Sequence, residues 1–96
     1  MFQYLILAKD GDDTDALNRR MKARPAHFEM ARSLKSSNNF VIGGAMLDTD
    51  GKMNGSMMVV QFETEDELLQ WMKNEPYING DVWQNIEVKP FRVAEV

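Results

Sequence analysis

Two runs of this 96-residue chain are apolar at odd and even positions alike. In the first, Phe2, Tyr4 and Ile6 alternate with Leu5 and Leu7; in the second, Met58, Val60 and Phe62 alternate with Met57 and Val59. Successive side chains of a strand point to opposite faces of its sheet. Each run therefore needs cover on both sides, which places both at the centre of a sheet, and the remainder of the chain has to supply the cover.

The first run ends at the turn Lys9, Asp10, Gly11. Thr14, flanked by Asp12, Asp13 and Asp15, then reads as a helix N-cap whose acidic neighbours complement the helix dipole. Leu17, Met21, Phe28, Ala31 and Leu34 recur at helical spacing, and Arg32 and Lys35 put positive charge into a last turn near Ser36. Pro25 removes a backbone donor and crowds the turn before it, which predicts a kink or a break between two helical pieces. Asn38 and Asn39 close the helix. Phe40 to Leu47 reads as a second strand in which Gly43 and Gly44 permit a bulge or a close backbone approach. Asp50-Gly51 and Asn54-Gly55 are turn signals ahead of a third strand from Ser56 to Phe62, so strands two and three form a hairpin. Thr64 with Glu67 makes a capping box for a short helix that buries Leu68, Trp71 and Met72 and cannot pass Pro76. After a connecting segment over 75–81, a last strand runs from about Trp83 to Val93. Ile86, Val88 and Pro90 share one of its faces, and Pro90 marks an edge or a bulge.

The order strand, helix, strand, strand, helix, strand is the ferredoxin-like α+β arrangement, here in one domain over 1–96. Two helices cover one face of such a sheet. The other face stays apolar, and a second copy of the sheet is its simplest cover, so a sheet-to-sheet homodimer is expected from burial alone. The net charge of −4 and the dispersed cations, apart from Arg19, Arg20, Lys22 and Arg24, oppose nucleic-acid binding. No window approaches the ~20 apolar residues of a membrane span, so no membrane partner is expected. The chain contains no cysteine, which excludes a disulfide framework, a thiol nucleophile and a thiolate metal site. With no basic n-region or cleavage site ahead of Phe2, a cytoplasmic location is expected.

Chemistry centres on the only histidine, His27. Helical positions 20, 24, 27 and 31 lie near one stripe, which sets Arg20 and Arg24 beside it. Arg24 could anchor a small anionic molecule while the imidazole, which titrates near neutrality, moves a proton. Spacing alone favours a plainer role, a partly buried helix residue making one structural hydrogen bond. A metal site is not expected, since only carboxylates could complete it. Asp48, Asp50 and Gly51 superficially suggest a calcium loop, but Lys52 and Met53 stand at ligand and glycine positions and no Glu closes it, so the segment reads as a hairpin turn. The eight methionines are core filler. No nucleotide-binding glycine motif or serine-nucleophile motif is present.

Five short motifs in order and at matching spacing cover nearly the whole chain: Arg24-Pro25-Ala26-His27, Gly43-Gly44, Gly55-Ser56, Glu75-Pro76-Tyr77 and Val88-Lys89-Pro90-Phe91. On them the sequence resembles the YciI-like family. The resemblance implies ferredoxin-like subunits that pair into a dimeric α+β barrel, or a higher homo-oligomer. It also implies a cofactor-free enzyme of lyase, dehydrochlorinase or isomerase type, with a histidine and an acid acting as a catalytic dyad. Here these are His27 and Glu75, the latter standing where the family usually has Asp in Asp-Pro-Tyr. Arg24, Tyr77, Gly44 and Ser56 are the substrate-binding residues implied with them, and proton abstraction beside a carbonyl is the implied reaction type. The alternative is a non-catalytic metabolite-binding or regulatory dimer.

Overall fold

In the computed structural model, which describes all of residues 1–96, the elements run β1 (Phe2–Asp10), α1 (Ala16–Ser36), β2 (Phe40–Leu47), β3 (Met53–Phe62), α2 (Glu65–Asn74), α3 (Pro76–Asn79) and β4 (Trp83–Phe91). The strands form one antiparallel sheet in the order β2-β3-β1-β4. The two runs apolar on both faces are thus the two inner strands, with Ile6 opposite Met58 and Leu5 opposite Val59.

The even positions of β1 and β3 face the helices. Ile6, Ala8, Met58, Val60 and Phe62 join Leu34, Leu68, Trp71, Tyr77 and Val82 in the core, and Ile86 and Val88 of β4 pack against it. The opposite face carries Leu5, Leu7, Met57 and Val59 with Ile42 and Met46 of β2, and no helix crosses it. α2 is capped as its sequence predicts, the Thr64 side chain accepting from the Glu67 backbone N–H. The β2–β3 turn is organised by Asp48, whose Oδ1 accepts from the N–H groups of Asp50 and Lys52, both at 2.9 Å, while Gly51 adopts φ 80°. This leaves the Asp48 carboxylate oxygen occupied by its own turn.

Several expectations are corrected. The sheet is open, with β2 and β4 as free edges at opposite ends, and it is not the closed α+β barrel that the resemblance implied. Three strand pairings at roughly 20–25° of twist each turn the outer strands by only about 60–75°, far short of bringing them together. α1 is one unbroken helix of 21 residues through Pro25. Pro25 and Met21, whose carbonyl loses its partner, both lie on the exposed side, open to solvent. Its N-cap is Asp15 rather than Thr14, and no side chain caps it; the carboxylate of neighbouring Asp13 is taken by Arg19 at 2.7 and 2.8 Å. The buried stripe of α1 also differs from the predicted one. Ala16, Arg20, His27 and Leu34 are buried, whereas Leu17, Met21 and Phe28 are 37%, 48% and 40% exposed. The segment after α2 contains the short helix α3, and β4 ends at Phe91, short of Val93. β3 begins at Met53, ahead of the predicted Ser56.

Candidate functional site

The rotation of α1 brings two charged or titratable side chains onto the sheet, and each meets a carboxylate there. The first is Arg20, only 3% exposed. Its Nη1 donates to both oxygens of Asp10 at 3.0 and 3.1 Å, and its Nη2 donates to Ser56 Oγ at 2.9 Å. The Trp83 indole N–H donates to the same Oγ at 3.1 Å, so both lone pairs of Ser56 are engaged. The guanidinium also lies 4.8 Å from the centre of the Tyr77 ring. Asp10 continues the even phase of β1 that carries Ile6 and Ala8, and this parity explains why it points toward α1.

The second is His27. Its Nδ1 donates to Glu75 Oε1, and Glu75 is 1% exposed. Where Glu75 is the carboxylate it can only accept, which puts an imidazole N–H at Nδ1; Nε2 makes no hydrogen bond to the protein. Glu75 is held by the local chain. It is the N-cap of α3, and the same Oε1 accepts from the Tyr77 N–H at 3.1 Å. Pro76 at the first helical position suits that start. The α3 turn then lays the Tyr77 ring flat against the imidazole, centres 3.8 Å apart and planes 10° apart, with Trp83 edge-on to His27 at 5.8 Å. Rotation of His27 is blocked on one face by Tyr77 and at Nδ1 by Glu75. Burial pushes the Tyr77 phenol up from 10.0, against the opposing pull of Arg20 and Arg24, and its hydroxyl has no partner.

These groups border a cleft of about 390 Å³ between α1 and the β2–β3 hairpin. Arg20, Arg24, His27, Ser56, Gly44 and Tyr77 all line it, while Glu75 stands behind His27. The structure therefore gathers His27, Arg24, Tyr77, Gly44 and Ser56, which the resemblance implied, around one cleft, with Glu75 behind His27. The two glycines of β2 differ in their surroundings. Gly43 pairs with Met58 on the helix side, and a Cβ there would lie 3.0 Å from the Phe40 ring and 3.1 Å from Met58, whereas a Cβ on Gly44 meets nothing within 4 Å. Gly43 is the one that keeps the cleft open beside Phe40. Sequence reading missed Asp10 and Trp83; the β1 parity was the available signal for Asp10, and none marked Trp83. Phe28, predicted as core, is exposed on the cleft wall with the Arg24 guanidinium 4.4 Å above its ring. No three His, Cys, Asp or Glu side chains converge as a metal site, and no helix is long and apolar enough to cross a membrane.

Residues 2–92 match the YCII-related domain. The chain belongs to the YCII-related family. It is 28% identical over 95 residues to "Protein YciI" of Escherichia coli O6:H1, covering 93% of this chain and 95% of that one. An uncharacterized protein of Haemophilus influenzae is 27% identical over the same length and coverage. Among solved structures, the 5-chloro-2-hydroxyhydroquinone dehydrochlorinase TftG of Burkholderia phenoliruptrix, in complex with 2,5-dihydroxybenzoquinone, superposes with a TM-score of 0.82 at 24% identity, covering 96% of this chain and 95% of that chain. A Pseudomonas aeruginosa protein, PA3566, gives a TM-score of 0.59 at 16% identity, covering 97% of this chain and 95% of that one. These likenesses establish the fold of the YCII-related chain.

Proposed function

We propose that this YCII-related chain is a cofactor-independent enzyme of the lyase or isomerase type, acting on a small anionic molecule in the cleft, with His27 as general base and Glu75 as its partner. The observation that carries the reading is the state of the imidazole: Nδ1 is committed to a buried carboxylate and Nε2 is left without a protein partner in a residue that lines the cleft. Such a base removes a proton from carbon beside a carbonyl. The C–H bond breaks, its electron pair passes into an enolate, and the proton arrives on Nε2, giving an imidazolium whose charge the Glu75 carboxylate offsets. Arg24 receives the developing negative charge on the carbonyl oxygen, and the Ser56 and Tyr77 hydroxyls are the neutral donors beside it. Return of the proton to another carbon is isomerisation. Departure of an anion from the neighbouring carbon is elimination, the chemistry named for the similar Burkholderia dehydrochlorinase.

The chain acts as one domain in a cytoplasmic setting, and a second copy covers the outer sheet face around Leu5, Leu7 and Met57, making a homodimer. The test of the site is a metabolite screen read by thermal shift, followed by turnover of each hit. Wild type is expected to turn over at least one hit. His27→Gln is expected to bind it and to lose about 10²–10⁴-fold in kcat, the usual worth of a positioned general base. Full turnover by His27→Gln would sink the assignment. Saturable binding without product in both proteins would favour a non-catalytic binding module.

A further inference from the structure

The charge lining the cleft is of one sign. Arg20, Arg24, Arg32 and Lys35 border it and no carboxylate does, in a chain of net charge −4. Arg20 is neutralised by Asp10. The other three make no ion pair at all, and Glu29, on the same helix, pairs with none of them. They occupy positions 24, 32 and 35 on one side of α1, at the N- and C-terminal sides of Phe28, and the Arg24 guanidinium lies 4.4 Å from the centre of the Phe28 ring. Arg32 and Lys35, three residues apart on one helix face, repel each other and are destabilising without a counter-ion. A lone carboxylate needs one guanidinium. Arg32 and Lys35, both free and three residues apart, match a group bearing more than one negative charge and several acceptor oxygens. Between them and His27 the wall is apolar, formed by Phe28, Ala31, Phe40 and Met58.

We propose that the ligand of this cleft carries a multiply charged anionic group of the phosphate-ester kind, seated on Arg32 and Lys35, with a ring-shaped or apolar body lying against Phe28 and Phe40 and Arg24 left for the oxyanion. The proposal rests on the reading of the cleft as a ligand site and is independent of His27 acting as a base. Arg32 and Lys35 set the distal specificity; both are exposed, so their replacement leaves the core intact.

The experiment is calorimetric titration at low ionic strength with two aryl probes that differ in charge, phenyl phosphate and benzoate. Wild type binds phenyl phosphate about tenfold or more tightly than benzoate, and added salt erodes the difference. Arg32→Gln/Lys35→Gln loses that preference while its benzoate affinity stays within about threefold. Arg19→Gln, which removes a cation outside the cleft, leaves both affinities unchanged. His27→Gln retains the preference, so a failed base assignment shows in turnover and a failed anion site shows here. Equal affinities in wild type, binding of neither probe, or an equal effect of Arg19→Gln would overturn the proposal.

Discussion

Neutralising Asp10 isolates what the buried ion pair beneath the cleft contributes. The Asp10 and Arg20 side chains are 2% and 4% exposed, so screening by water is slight. Asp10→Asn keeps shape and one acceptor but leaves the Arg20 cation without a counter-charge. Breaking a buried pair from one side typically costs about 3–5 kcal/mol. Arg20 keeps its 2.9 Å bond to Ser56 and its place over Tyr77, which puts the expectation at the lower end of that range, about 3 kcal/mol. A domain of this size is stable by about 5–14 kcal/mol in all, so the variant gives up a substantial part of its stability. Removing both charges is different. In Asp10→Leu/Arg20→Met no uncompensated charge remains, and Ser56 still accepts from Trp83, so the loss falls to about 1–2 kcal/mol, the worth of the forfeited neutral hydrogen bonding.

The assay is urea unfolding followed by the fluorescence of Trp71 and Trp83, at one fixed protomer concentration because self-association would add to apparent stability. With a slope near 1–1.5 kcal/mol/M, Asp10→Asn moves the midpoint down by about 2–3 M at unchanged slope, and the double variant recovers roughly half of that. A loss below about 1 kcal/mol for Asp10→Asn, or a double variant less stable than the single, would refute the account of Arg20 as a buried charge held by Asp10.

Two further outcomes are expected. Sedimentation velocity at micromolar concentration shows a dimer for wild type and a folded monomer for Leu7→Lys, which places a cation on the outer sheet face; a monomeric wild type would remove the case for a second copy there. Acid titration followed by circular dichroism tests Asp13, which its hydrogen bond to Arg19 lowers from 3.8 to about 2. A depressed carboxylate contributes stability above its unfolded value and loses it as pH falls through its folded value, so this contribution disappears between about pH 4 and pH 2. Asp13→Asn should flatten that part of the curve, and an unaltered profile would contradict it.

The strands were legible because period-two patterning needs only neighbours along the chain. The two-faced runs around Ile6 and Met58 identified the inner strands, and Thr64 with Glu67 identified the start of α2. The phase of α1 was not legible, for a physical reason. Two stripes run along this helix, Leu17-Met21-Phe28-Ala31 and Ala16-Arg20-Ala23-His27-Met30; hydrophobicity favours the first, of whose predicted face only Leu34 is buried. The fold buries the second because Asp10 and Glu75, on other elements and 10 and 48 residues away, offset the desolvation of Arg20 and His27. Burial of a polar stripe is a property of its partners, and the sequence of the stripe does not contain them. The same inversion leaves Phe28 on the cleft wall, with Arg24 over its ring and no carboxylate to neutralise the cations around it. A helix that packed its most apolar face inward would have closed this cleft. Of the residues whose burial the spacing misjudged, Leu17, Met21 and Phe28, only Phe28 lines the cleft, while Arg20, Arg24 and His27 stand together as their spacing implied; the local pattern located the charged stripe and missed that carboxylates on other elements bury it.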